Sequence, residues 1–256
     1  MILGPLLLGI VQGLTEFIPV SSTAHLIIIP YFLGWSGTID TLEFDVALHG
    51  GTLLALLISF RKEWLSILRG NRNLLLALGV GTAPAAVAGL TMEEVVESTL
   101  RNPWIIASSL VIISIFMLLA ERVRTNRDFG SITVKDAFII GIAQAVALVP
   151  GVSRSGITIS AGLLRRIDRV SAARYSFVLS MPVVAGAVVL EGTDILKAPG
   201  EFDYWQVLIG FFTSFVSGLL CIRFLLWFFQ RFSLKVFVYY RFALAGIILL
   251  LLWIQG

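Results

Sequence analysis

The chain reads as a series of apolar runs separated by short polar stretches. Six runs, at approximately 46–61, 74–90, 103–121, 175–192, 205–229 and 237–254, approach the length of a bilayer-crossing helix, which needs ~20 residues at ~1.5 Å each. Two others, 4–34 and 136–165, are apolar but broken near the middle, at Pro19 and at Pro150-Gly151. Proline removes a backbone donor and ends a helix, so each broken run predicts a helical hairpin that enters the membrane and returns. The expected fold is all-α and integral to the membrane, with six transmembrane helices and two re-entrant helical hairpins. Apolar runs continue to the end, so one membrane domain over 1–256 is expected.

The polar stretches give this pattern a direction. Arginine and lysine concentrate in 61–72, 121–130, 165–169 and 231–235, whereas 37–45, 91–98 and 191–203 are mainly acidic. With the basic loops cytoplasmic, six crossings alternate correctly only if both broken runs return to the side they came from. The broken runs also match each other. Gly9 lies over Gly141, Gln12 over Gln144 and, after a one-residue gap, Pro19 over Pro150 and Ser22 over Ser153; farther on, Phe44 lies over Tyr175 and Leu48 over Leu179. Two halves, about 1–122 and 132–256, are therefore expected as an inverted-topology repeat, because a hairpin plus three crossings reverses the chain's orientation. Such repeats place their ligand near the midplane, where the broken helices meet.

Composition supports the membrane reading. Of 256 residues, 57% are hydrophobic and 14% charged, and the mean hydropathy is +0.93, which excludes an ordinary soluble domain. The net charge of +3 is spread over short loops, so it reports topology and no nucleic-acid partner is expected. The single cysteine, Cys221, excludes an intramolecular disulfide and a cysteine-based metal cluster. The first residues, MILGPLLLGIVQG, lack a basic n-region and read as part of the mature protein.

Within the first broken run, "TEFIPVSSTAHL" sets Glu16, Ser21, Ser22 and His25 among apolar neighbours. Ionisable groups in hydrocarbon are expensive and mark function by default. Ser21 and Ser153 are expected N-caps of the helices that restart after the breaks. Both helix N-termini then present free N–H groups to one space, an anion site suited to phosphate. Gln12 and Glu16, four apart, share a helix face. Ser22 and His25, three apart, suggest a nucleophile beside a base, with direct attack by His25 as the alternative. Arg154, with Ser153, Ser155 and Thr158 around it, suits phosphate oxygens. His49 is expected to line the same cavity. For any one serine alone, a bond to its own helix backbone is the commoner role.

"QGLTEFIPVSSTAHL" and "PGVSRSGIT" resemble the paired signatures of the undecaprenyl-diphosphate phosphatases of the bacitracin-resistance type, and "FDVALHGGTLLA" and "SFVLSMPVVAGA" extend the resemblance over nearly the whole chain. The resemblance implies hydrolysis of a polyprenyl diphosphate to the monophosphate at the outer face of the cytoplasmic membrane, recycling the cell-envelope carrier lipid. It implies a divalent cation, Mg²⁺ or Ca²⁺, with Glu16 as its ligand. Glu16, Ser22, His25 and Arg154 become the expected catalytic set, with Gln12, Ser21, Ser153 and Thr158 supporting. Position 12 is glutamine where many members carry glutamate, so a two-carboxylate metal site is in question. The expected partners are the lipid substrate and the bilayer, and a homodimer is compatible with the sequence. The rival reading is a transporter or flippase of a phosphate-bearing lipid or anion, which needs the same charge but no nucleophile.

Overall fold

The computed structural model of the chain describes residues 2–100, 102–197 and 203–255, and the side chains among them except at 40, 42, 93–98, 194–197 and 255. The acidic stretches expected at 91–98 and 191–203 fall largely outside the described residues and side chains. Within them the fold is all-helical, with eleven α-helices: α1 Leu3–Thr15, α2 Ser22–Leu33, α3 Leu42–Ser59, α4 Arg61–Leu68, α5 Arg72–Ser98, α6 Pro103–Ala120, α7 Val134–Val146, α8 Arg154–Leu164, α9 Arg169–Lys197, α10 Tyr204–Phe228 and α11 Lys235–Gln255. Five of these, α5, α6, α9, α10 and α11, contain stretches long and apolar enough to cross a membrane. A sixth crossing arises if α3 and α4, bent by 69° at their junction, are taken as one. By helix composition this is a multi-pass membrane protein.

Both broken runs are pairs of shorter helices, interrupted where the prolines stand. The remaining differences from the sequence reading have local causes. α3 starts at Leu42 because Thr41 caps it, accepting from the Phe44 amide at 3.3 Å, and because Glu43 and Asp45 in its first turn favour the positive end of the helix dipole. α9 begins at Arg169, where Asp168 accepts from the Ser171 amide at 3.0 Å. The basic stretch after α3, expected as a loop, instead forms α4.

Close glycine contacts order the helices. A methyl group on Gly9 would collide with Gly210 O of α10, and one on Gly141 with Gly81 O of α5, so α1 lies against α10 as α7 lies against α5. Gly210 in turn is roofed by Phe44 and Leu48 of α3, and Gly81 by Tyr175 and Leu179 of α9. Small residues let helix backbones approach this closely where lipid supplies no hydrophobic drive between helices.

The basic end of the molecule is tied by ion pairs. Asp136, fully buried in the first turn of α7, accepts from Arg127 at 2.6 Å and from Arg165, at the end of α8, at 2.7 Å. It also closes a capping box with Thr133. The two ends of the α7–α8 pair therefore lie together. Glu121, at the end of α6, accepts from Arg169 at 2.6 Å and from the Leu234 amide at 2.8 Å, and Glu63 pairs with Arg174. Burial alone raises the Asp136 pKa, but hydrogen bonds from Arg127, Thr133 and Arg165 outweigh it and hold the carboxyl below its ordinary range. A depressed folded-state pKa gives stability that is present above the ordinary carboxylate range and lost as pH falls through it. Asp136→Asn should lower unfolding stability in detergent by about 2 kcal/mol at neutral pH, less than a fully buried pair because both arginines can rehydrate. The deficit should shrink on acidification, as followed by thermal unfolding across pH.

Candidate active site

The site forms where the two breaks meet. Ser21 and Ser153 both occupy the N-cap, with φ of 75° and 71°. Each accepts from the amide three residues on, Ala24 at 3.4 Å and Gly156 at 3.2 Å. Non-glycine residues at positive φ cost about 1–3 kcal/mol each and persist only where surroundings fix them. Here the preceding residues, Val20 and Val152, are buried in one core cluster, with Phe17 edge-on to Phe177 of α9 at 5.5 Å between ring centroids. Gly151, at φ 91°, abuts the Ile106 carbonyl of α6, so that close approach and that conformation both require glycine. Ser155 Oγ donates to Ile18 O at 3.3 Å and bridges the two breaks directly.

The shared backbone conformation pairs Ser153 with Ser21, not with Ser22 as the gapped sequence match had it. Without the gap, Ser21 and Ser153 are separated by the same number of residues as Gly9 from Gly141 and Gln12 from Gln144. Leu148 then matches Glu16, and Arg154 matches Ser22. The two breaks therefore bring different side chains to one place.

A cavity of about 180 Å³ opens between the helix N-termini, lined by Glu16, Ser21, Ser22, His49, Ser153 and Arg154, with Val183, Val184 and Ala187 of α9 on its apolar side. Glu16 is its hub. It accepts from Ser22 Oγ at 2.6 Å and from Gln12 Nε2 at 3.1 Å, pairs with Arg154, and has His49 Nε2 at 4.0 Å. One guanidinium nitrogen of Arg154 is committed to Glu16, while Nη1 is buried with no partner. Ahead of those capped amides, the amides of Ser22 and Thr23 in α2 and of Arg154 and Ser155 in α8 have no acceptor within their helices. Unpartnered donors from three sources thus converge, and a phosphate oxygen is the group that would satisfy them.

The expected site residues divide into two groups. Glu16, Ser21, Ser22, His49, Ser153 and Arg154 come together at the cavity. Gln12, Ser155 and Thr158 stand behind it: Gln12 orients Glu16, and Thr158, fully buried, bonds Arg154 O at 2.7 Å and Ser176 Oγ at 2.6 Å. The expected Ser22–His25 pair is not formed. His25 turns away from the cavity, its Nδ1 on Ser21 O at 2.7 Å and its Nε2 on Tyr240 Oη at 2.7 Å. Proximity at three-residue spacing says nothing of where an imidazole points, and the positive-φ cap turns the Ser21 carbonyl toward it. The partner that Ser22 finds is Glu16.

Sequence reasoning missed Arg241 altogether. It is fully buried in α11, and no carboxylate among the described residues pairs with it. Its guanidinium donates to Pro19 O at 3.5 Å, Gly151 O at 2.9 Å and Val152 O at 3.2 Å, and also to Ser114 Oγ at 3.0 Å and Leu110 O at 3.4 Å. An arginine six residues into an apolar helix was the available signal, since a charge at that depth needs an explanation.

Fold and site together define a class: a polytopic, all-helical membrane protein with a serine, a carboxylate and a guanidinium set around one cavity between two helix breaks. The profile of the family described as "Bacitracin resistance protein BacA" matches residues 5–247. A relative from Thermodesulfovibrio yellowstonii named undecaprenyl-diphosphatase is 47% identical over 98% of this chain and 97% of its own. Relatives of the same name from Rubrobacter xylanophilus, at 43% over 98% of each chain, and Thioalkalivibrio sulfidiphilus, at 42% over 97% of this chain and 98% of its own, extend the match. The chain belongs to the bacitracin resistance protein BacA family.

Arg154→Lys keeps the positive charge but loses the planar fork. It should fold normally and lose roughly 10²-fold in kcat/KM for a prenyl diphosphate, measured as phosphate release. Near-normal turnover would mean that Arg154 does not grip the diphosphate.

Proposed function

We propose that this chain hydrolyses undecaprenyl diphosphate to the monophosphate and inorganic phosphate, with the diphosphate seated between the N-termini of α2 and α8. The observation that carries this reading is the Ser22–Glu16 hydrogen bond of 2.6 Å beside the unpartnered Arg154 nitrogen: a nucleophile, its base and an anion clamp in one cavity. An anion carrier needs the clamp but has no use for an activated hydroxyl.

In this reading the diphosphate engages Arg154 and draws the guanidinium from Glu16, which frees the carboxylate to accept a proton. Ser22 Oγ attacks the terminal phosphorus as its proton passes to Glu16. The bond from that phosphorus to the bridging oxygen breaks, and the prenyl monophosphate leaves with the electron pair. Water then attacks the phosphoserine phosphorus and the bond to Ser22 Oγ breaks; Glu16 returns its proton to Ser22, and both hydrogens of the water leave with inorganic phosphate as H2PO4−. Arg154 and the two helix N-termini hold charge on the transferring phosphoryl group, which is most of what such a transfer requires.

A divalent cation fits the site in a limited way. Glu16 and Gln12 Oε1, which is buried without a partner, offer oxygen ligands, while no group of three His, Cys, Asp or Glu among the described residues surrounds a common point. That donor set suits Mg²⁺ or Ca²⁺ carried mainly by diphosphate oxygens and water. Bound there, the cation would neutralise phosphate charge.

The inverted repeat and the outer-facing site belong to the same proposal. Exchanging α1 with α7, α3 with α9 and α5 with α10 carries the Gly9–Gly210 contact and its Phe44–Leu48 roof onto the Gly141–Gly81 contact and its Tyr175–Leu179 roof, which supports the repeat. The cavity's α9 residues, Val183, Val184 and Ala187, begin at the middle of α9 and run away from its arginine-rich start. This supports access from the outer face. Cysteines introduced at Gly37 should label from outside, and those at Asn71, Asn126 and Asp168 only after permeabilisation; labelling of 37 and 168 from one side would break the topology.

Ser22→Ala deletes one oxygen at a helix start and should leave folding intact. Phosphate release should fall by about 10³-fold or more while prenyl diphosphate still binds, because Arg154 and the helix dipoles remain. A Ser22→Ala enzyme retaining a tenth of the normal rate would remove Ser22 from the nucleophile's role.

A further inference from the structure

Two adjacent residues of α11 reach the two breaks from behind. Arg241 holds Pro19 O of the first break together with Gly151 O and Val152 O of the second. Tyr240 holds the first break through His25, whose Nδ1 sits on Ser21 O and whose Nε2 sits on the Tyr240 hydroxyl. Arg241 and the His25 ring thus grip the carbonyl that closes each strained N-cap or one within two residues before it.

The hydrogen-bonding pattern fixes the chemistry of His25. A carbonyl only accepts, so Nδ1 carries the proton toward Ser21 O. In the neutral ring Nε2 is then the acceptor, and Tyr240 Oη donates to it. The one basic lone pair of His25 is occupied, and it points away from Ser22, whose hydroxyl bonds Glu16 instead. A side chain so placed orients backbone and takes no proton from the reacting serine.

Resting on the function proposed above, we infer that Tyr240 and Arg241 are positioning residues for the hydrolysis, and that His25 acts with them as a relay of position and not of protons. They hold the Ser21 and Ser153 caps at positive φ, so that Ser22 faces the phosphorus and both helix N-termini point at the diphosphate. Arg241 adds a second effect. Its charge lies behind both breaks with no carboxylate paired to it among the described residues, so it adds to the attraction for a diphosphate bound in front of them.

Tyr240→Phe is the decisive variant, because it deletes one hydroxyl and keeps the ring. It should unfold at a temperature close to that of the parent, lower kcat by about tenfold and leave KM within about twofold, the signature of a misaimed nucleophile. His25→Asn keeps an N–H donor near the place of Nδ1 but has no imidazole. It should therefore retain at least about tenfold more activity than His25→Ala, whereas loss of a general base costs ~10²–10⁴ whatever the amide can donate. Arg241→Lys keeps the charge but cannot span both breaks; it should fold, lose kcat by more than about tenfold and keep KM closer to normal than an uncharged Arg241→Met. Wild-type kcat in Tyr240→Phe, or His25→Asn as inert as His25→Ala, would overturn the inference. Wild-type and Ser22→Ala enzymes assayed alongside separate this from failure of the parent reading: that reading fails if Ser22→Ala stays active, and this one fails if Ser22→Ala is dead while Tyr240→Phe keeps wild-type kcat or His25→Asn is as inert as His25→Ala.

Discussion

Everything in this structure depends on how two interrupted helices are tolerated inside an apolar bundle. A break at membrane depth exposes carbonyl and amide groups that lipid cannot satisfy, each at a cost of several kcal/mol. The fold answers on both sides of the breaks. Behind them, Arg241 supplies donors to the carbonyls of Pro19, Gly151 and Val152 from a single guanidinium. In front, Ser21 and Ser153 each accept from one amide at the starts of α2 and α8, and the amides ahead of those have no helical acceptor. The constraint that would forbid such backbone in lipid is therefore what shapes the proposed anion site, because the carbonyls are consumed internally and the first amides of each restarted helix are not.

The rest of the architecture serves that meeting point. Glycine contacts set α1 against α10 and α7 against α5, and Ser155 Oγ on Ile18 O joins the two breaks directly. Ion pairs around Asp136, Glu121 and Glu63 close the basic end, and the buried Val20 and Val152 plug both breaks into one core. The two breaks share a backbone conformation but not side chains. Where the first has Glu16 and Ser22, the second has Leu148 and Arg154, so in the proposed reaction one break carries nucleophile and base and the other the clamp. A symmetric site would bring either two carboxylates with no guanidinium or two guanidinia with no base.

Much of this was legible in the sequence. Proline and glycine inside otherwise apolar runs gave both breaks, and serine ahead of a fresh apolar run gave both caps. Glu16 and Arg154 stood out because a charge far from any loop has no bland explanation. What the sequence concealed were relations that depend on direction in space. The spacing of Ser22 and His25 suggested a pair, yet the imidazole points at Ser21 O and Tyr240. Arg241 was hidden by its neighbours: six residues into α11 and close to a basic loop, it resembles one more topological charge, and only packing reveals that it faces both breaks. Phe44 and Tyr175, or Leu48 and Leu179, matched weakly as letters, but they roof equivalent glycine contacts.

The central claim is that Ser22 attacks the terminal phosphorus itself, so that transfer proceeds through a phosphoserine. The stereochemical course at that phosphorus tests this most directly, using a prenyl diphosphate whose terminal group is a thiophosphate made chiral with oxygen isotopes. Two successive in-line displacements, first by Ser22 and then by water, predict overall retention of configuration. Inversion would mean that water attacks in a single step, and Ser22 would then be a binding group beside Arg154 and not the nucleophile.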